Sequence, residues 1–91
     1  MKVIVLYRPR SEHRAMVDEF IRQYQRLYPE SKLDVVDVDS RDGTAIAQTY
    51  AIVSYPAVMV MRDDGNVVES WQGDTELPKV EDVRYYAAPP V

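Results

Sequence analysis

The sequence contains no cysteine among its 91 residues, which excludes disulfide bonds, thiolate metal ligands and thiol nucleophiles. Glycine is scarce, and its three isolated residues provide no glycine-rich loop to hold a phosphate. No apolar run approaches the roughly 20 residues of a membrane-spanning helix. The chain has 11 Lys and Arg residues and 15 Asp and Glu residues, which gives a net charge of −4. A negative protein is disfavoured as a binder of the nucleic-acid phosphate backbone. We therefore expect neither a nucleic-acid nor a membrane partner.

The composition fits one small folded domain. Hydrophobic residues make up 46% of the chain and charged residues 29%, which is enough apolar surface to close a core. A chain of 91 residues is too short for two independent cores. The short apolar run near the N-terminus is followed by no small-residue cleavage site, so we expect a cytoplasmic protein.

The hydrophobic pattern alternates between strand-like runs and helical spacing. The first run, residues 3–7, lacks alternation and is typical of a strand buried on both faces. Apolar residues then recur every three or four positions up to Pro29, which predicts an amphipathic helix with Ser11 as its N-cap and Glu12 in its first turn. The predicted elements are strand 3–7, helix 11–28, strand 33–39, helix 45–52, a hairpin of strands 57–61 and 67–71, and helix 77–86.

This order of elements predicts an α/β fold. A βαβ unit, a linking helix and a ββα unit form a sandwich whose four-stranded mixed sheet has its last strand antiparallel. We assign residues 1–86 to this single domain and residues 87–91 to a loose C-terminal tail.

Four features together resemble the thioredoxin-like family, over nearly all of the chain up to Gly73. One is the element order, βαβ-α-ββα. The others are three segments: Val38-Asp39 followed by Gly43-Thr44, Tyr50 and Ile52; Ser54-Tyr55-Pro56-Ala57, where the family has its cis-proline; and Asp64-Gly65 followed by Trp71-Gln72-Gly73. The resemblance implies a thioredoxin-like βαβ-α-ββα sandwich.

The redox motif of that family is missing. The family places two cysteines, separated by two residues, at the head of its first helix, and here residues 11–14 are Ser-Glu-His-Arg. A serine hydroxyl does not take part in thiol–disulfide exchange, so dithiol oxidoreductase activity is excluded. We expect no cofactor, and the residue types present disfavour an enzyme without excluding one.

Basic side chains crowd the start of the first predicted helix, at Arg8, Arg10, His13 and Arg14. One interpretation is a site for phosphate or carboxylate, in which Ser11 and the helix N-terminus donate hydrogen bonds and the arginines close around the anion. The other is that the arginines are solvated and Ser11 is only a cap. His13 is the only histidine and has no second ligand at metal spacing, so we expect no metal site.

The segment Tyr55-Pro56 is the second candidate surface. In the family, the backbone beside the cis-proline pairs with an extended peptide or with glutathione, and the resemblance implies the same use here. An exposed Tyr55 would add an aromatic contact, whereas a proline that only ends the loop would add none. Tyr7, at the end of the first strand, is predicted to be a packing residue.

Three functions stay open. The first is a non-redox module that binds an extended peptide or a protein surface around the proline loop and the first helix. The second is a binder of a small anion or glutathione, including a glutathione-dependent enzyme. The third is a structural subunit of a larger assembly. The candidate binding residues for the first two are Arg8, Arg10, Ser11, His13, Arg14, Tyr55 and Pro56.

Overall fold

The computed structural model describes residues 1–73 and 77–88. Within these ranges the order of strands and helices is the predicted one. The elements are β1 (Lys2–Tyr7), α1 (Arg14–Leu27), β2 (Lys32–Asp37), α2 (Arg41–Thr49), β3 (Ala57–Met61), β4 (Val67–Gln72) and α3 (Val80–Ala87).

The four strands form one mixed sheet in the order β2-β1-β3-β4. The pair β1 and β2 is parallel, and β3 is antiparallel to β1. The last strand, β4, is antiparallel to its neighbour β3. The predicted fold class, a four-stranded mixed sheet in an α/β sandwich, is therefore confirmed.

Each face of the sheet has its own hydrophobic core, because successive side chains of a strand point to opposite faces. This explains why β1 and β3 are continuous apolar runs: both central strands are buried on both sides. The α1 and α3 face contains Val3, Val5, Val17, Phe20, Tyr24, Val58, Val60, Val80, Val83 and Ala87. The α2 face contains Ile4, Leu6, Val38, Ala47, Ile52, Ala57, Met59 and Met61.

The start of α1 differs from the prediction. The helix begins at Arg14, and its N-cap is His13, whose side chain makes no capping hydrogen bond. Ser11 instead closes the preceding turn: its Oγ donates to the carbonyl oxygen of Arg8 (2.7 Å) and accepts from the amide of His13 (3.3 Å). Ser11 is therefore not the N-cap, and Glu12 lies before the helix rather than in its first turn.

The start of α2 also differs from the predicted residue 45, because Ser40 caps the helix and α2 begins at Arg41. Its Oγ accepts from the amide of Gly43 (3.0 Å) and donates to the carbonyl oxygen of Asp37. This ends β2 at Asp37 and begins α2 at Arg41, so Val38 and Asp39 lie in a turn instead of in the predicted strand.

The last helix begins later than predicted, at Val80, after an extended N-cap at Lys79. Pro78 therefore lies before α3 and not in its first turn. The helix ends at Ala87, which is buried and so does not belong to the predicted tail. Residues 89–91 of that tail lie outside the described residues. None of the described helices is long and apolar enough to cross a membrane.

Gly43 lets α2 cross close to the end of β2. A Cβ atom at this position would lie 2.0 Å from the carbonyl oxygen of Asp37 and 2.9 Å from the Cα of Val38. Both of these atoms belong to the backbone, so no side-chain rotation can relieve the overlap.

We therefore predict that Gly43→Ala lowers the free energy of unfolding by about 1 to 3 kcal/mol, the usual effect of overpacking. Helix propensity alone would give the opposite sign, since alanine is favoured over glycine by about 1 kcal/mol. Urea denaturation measures the difference. The control is Gln48→Ala, at an exposed position of the same helix, which should stay within about 0.5 kcal/mol of the wild type. An unchanged or increased stability of Gly43→Ala would contradict the close crossing.

Candidate functional site

The candidate site lies where the chain leaves β1 and where it enters β3. These strands are antiparallel with Leu6 opposite Ala57, so the residues after β1 meet the residues before β3. Between them is a cleft of about 400 Å³, called the Tyr55 cleft below. Its lining consists of Tyr7, Arg8, Ser11, His13, Val53, Ser54, Tyr55 and Pro56.

The loop before β3 is held by hydrogen bonds at both of its ends. The amide of Val53 donates to Oε1 of Gln72 (3.2 Å), and the hydroxyl of Tyr55 donates to the carbonyl oxygen of Ile52 (3.1 Å). The amide of Gly73 donates to the carbonyl oxygen of Pro56 (3.4 Å). The Tyr55–Pro56 peptide bond is cis. Pro56 is fully buried, and it forms part of the cleft lining.

Two neighbouring residues of this loop, Ser54 and Tyr55, have unpaired backbone groups. The backbone N–H and C=O of each make no hydrogen bond with any other described residue, and Tyr55 is the one that directly precedes the cis-proline. Backbone polar groups of folded proteins are nearly always paired, with protein or with water. Beside it, Val53 is 82% exposed, the highest value among the large hydrophobic residues in the described part of the chain. The loop thus presents a free donor, a free acceptor and apolar surface next to each other.

The predicted basic cluster does not converge on one point. Arg8 lines the Tyr55 cleft, with its Nε 3.4 Å from Oδ1 of Asp39 and its Cζ 5.7 Å from the centre of the Tyr55 ring. Arg14 turns away, and its Nε lies 3.6 Å from Oδ2 of Asp18 on the exposed face of α1. Arg14 therefore lies apart from the other two arginines, and an anion site at the remaining basic residues stays a prediction.

Arg10 and His13 also separate. Arg10 lines a different cleft, of about 360 Å³, which also contains Arg8 and Ser11 and in which the carboxylates of Asp37 and Asp39 face the two arginines. His13 lines the Tyr55 cleft, with its Nε2 3.9 Å from Oε1 of Glu12. Across residues 1–73 and 77–88, no group of three or more His, Asp or Glu side chains is placed to hold a metal ion.

A second depression continues from the Tyr55 cleft along α2 and is called the α2 groove below. It has a volume of about 420 Å³ and shares Arg8, Val53 and Tyr55 with the cleft. Its remaining lining is Val38, Asp39, Thr44, Ala47, Gln48, Ala51 and Ile52.

We compared this fold with those of known proteins. No family model matches the sequence, and no curated protein matches it. Solved structures do match. The oxidised thioredoxin of Plasmodium falciparum is similar with a TM-score of 0.73 and 19% identity, over 94% of this chain and 80% of that one. Mitochondrial thioredoxin 3 of Saccharomyces cerevisiae, in its oxidised form, has a TM-score of 0.65 and 21% identity, over 78% of this chain and 64% of that one. This chain has the thioredoxin fold.

Thioredoxin 1 of Thermosipho africanus extends the comparison, with a TM-score of 0.66 and 13% identity over 94% of this chain and 89% of that one. At such identities the likeness shows the thioredoxin fold alone. The fold implied by the sequence features is confirmed, and the segment at the start of the first helix has no cysteine in this chain.

Some residues at the cleft are not among the candidates predicted from the sequence. Val53 and Ser54 line the cleft, and Asp39, which belonged to the predicted strand 33–39, pairs with Arg8 beside it. Tyr7 packs against the α1 and α3 core as predicted, but it also lines the cleft. The one available signal was the position of Val53, an apolar residue between the α2 pattern and the proline. Its exposure follows from the loop geometry, which the sequence does not provide.

Ser11 has a structural role that can be tested. Because its Oγ links the carbonyl of Arg8 to the amide of His13, we predict that Ser11→Ala lowers the free energy of unfolding by about 0.5 to 1.5 kcal/mol. The control is Ser54→Ala, because Ser54 is exposed and its hydroxyl has no hydrogen-bond partner among the described residues. Urea denaturation compares the two variants. Equal stabilities would show that the Ser11 bridge does not hold the turn.

Proposed function

We propose that this protein is a non-redox binding module that takes an extended peptide segment in the Tyr55 cleft. The observation that carries the proposal is the unpaired backbone of Tyr55, at the lining of a cleft. An extended peptide supplies one C=O and one N–H on the same edge, and together they pair with such a donor and acceptor as an added strand does. A carboxylate anion has no donor for the free C=O.

The apolar surface of the loop supports the same ligand class. Val53 is 82% exposed and lies in the wall shared by the Tyr55 cleft and the α2 groove. Burial of an apolar ligand side chain against Val53 would remove this surface from water, which is the main favourable term in most associations. Hydrogen bonds to the main chain of Tyr55 then provide affinity for any extended peptide. The apolar surface of Val53 selects among peptides, because it favours a ligand with an apolar side chain at that position.

The distribution of charge favours a peptide over glutathione or phosphate. Arg8 is the only arginine that lines the Tyr55 cleft, and Arg14 pairs with Asp18. Arg10 and Arg8 do line the neighbouring cleft together, but the carboxylates of Asp37 and Asp39 lie there with them and disfavour an anion. A small polyanion needs several donors at one point, and a peptide does not. Without a thiol on the protein, the binding is not followed by disulfide exchange.

The test begins with random heptapeptides displayed on phage and selected on the immobilised protein. A selected peptide is then titrated into ¹⁵N-labelled protein. We expect amide shifts confined to residues 7–13 and 53–57, with a continuation along residues 44–48 of α2. Failure to enrich any peptide over a blank surface, or shifts only at distant residues, would overturn the proposal.

Val53→Asp should weaken the selected peptide about tenfold, because a carboxylate would replace apolar contact surface at the cleft wall. The matched control is Tyr85→Asp, which adds the same charge at a similarly exposed residue, 78% against 82%, on α3. Isothermal titration calorimetry gives both affinities, and thermal denaturation checks that both variants are folded. Equal losses in the two variants would show that Val53 is not part of the binding surface.

Glutathione is the competitor in the same titration. If the peptide binds and glutathione does not displace it, the peptide interpretation stands. If glutathione shifts the amides of the cleft and no peptide does, the protein is a glutathione binder and the proposal is wrong.

A further inference from the structure

Arg8 occupies the junction of three depressions: the Tyr55 cleft, the α2 groove and the cleft that contains Arg10. Among the eight described residues that line the Tyr55 cleft it is the only one with a fixed charge. The described lining therefore contributes one positive charge and no negative one, although the whole chain has a net charge of −4. This local sign points to a ligand group of negative charge.

The guanidinium of Arg8 is only loosely engaged. Its Nε lies 3.4 Å from Oδ1 of Asp39, and the two side chains are 57% and 66% exposed. No described residue accepts a hydrogen bond from the Arg8 side chain. Exposed ion pairs of this kind contribute little to stability, so a ligand can separate them at low cost. The terminal nitrogens of Arg8 keep the fork geometry that binds both oxygens of a carboxylate.

We infer that the peptide bound at Tyr55 carries an acidic group whose carboxylate replaces that of Asp39 as the ion-pair partner of Arg8. In the free protein, Asp39 occupies the position at Arg8 that the ligand carboxylate would take. This inference rests on the proposed function, because it names the class of peptide that the Tyr55 cleft takes. The ring of Tyr55, over which the Cζ of Arg8 lies at 5.7 Å, holds the guanidinium on the cleft side. Because Asp39 competes with the ligand for Arg8, it lowers the affinity of the cleft for every acidic ligand.

The experiment is a scan of the selected peptide in which each position in turn is replaced by Glu and by Gln, with both ends blocked. At one position we expect Glu to bind more tightly than Gln. Arg8→Gln should weaken the Glu peptide about tenfold, the usual scale for a lost charge-assisted pair, and leave the Gln peptide unchanged. Asp39→Asn should strengthen the Glu peptide about threefold, because the competing carboxylate is gone.

A second arm separates the two sources of a carboxylate. The Gln peptide is truncated at the preferred position and prepared with a free C-terminus or as its amide. If only the free C-terminus restores the dependence on Arg8, the ligand group is a chain terminus. If only the Glu side chain does so, the ligand is an internal acidic segment.

The matched controls are Lys2→Gln and Asp34→Asn. This pair is also exposed, with Nζ and Oδ2 3.7 Å apart, and it lies at the opposite end of β1 from the cleft. Neither control should change the ratio of Glu to Gln affinity. Peptides that bind with no preference for Glu at any position, or an identical preference in the wild type and Arg8→Gln, would overturn the inference while leaving the proposed function intact. Absence of any bound peptide would remove both.

Discussion

The antiparallel pairing of β1 with β3 is the constraint on which the rest of the structure depends. Both strands are apolar along their length, because each is covered by helices on both faces. Their register, with Leu6 opposite Ala57, brings the turn after β1 against the loop before β3. The candidate site therefore consists of two segments that are distant in sequence and are brought together by this pairing.

This chain has the thioredoxin fold without any thiol, and the binding that we propose for it therefore involves no redox chemistry. The groups available at the surface are the backbone of Tyr55, the apolar side chain of Val53 and one weakly paired arginine, Arg8. Each of these can recognise a ligand, and none can exchange electrons with it. The hydrogen bonds of Gln72 and Gly73 to the loop hold it against β4, so the surface is formed before a ligand arrives.

Much of the fold could be predicted from the sequence, because burial on two faces and helical spacing leave direct patterns in residues such as Val58 and Phe20. The helix starts could not, since they depend on which serine caps. Ser40 caps α2, while Ser11 bonds back to Arg8 and leaves α1 to start at Arg14. The candidate residues Tyr55 and His13 both line the cleft. The ion pairs of Arg14 with Asp18 and of Arg8 with Asp39 could not be predicted, because they depend on the directions of the side chains.

The most direct test of the account is amide hydrogen exchange at Tyr55, measured by NMR with and without a selected peptide. In the free protein this amide has no partner among residues 1–73 and 77–88, so it should exchange as fast as an exposed amide of a loop. Bound peptide should slow it, because a peptide carbonyl accepts the hydrogen bond, while the amide of Val53, already bonded to Gln72, should change little. A Tyr55 amide that is protected in the free protein, or that stays unprotected in the complex, would contradict the central claim.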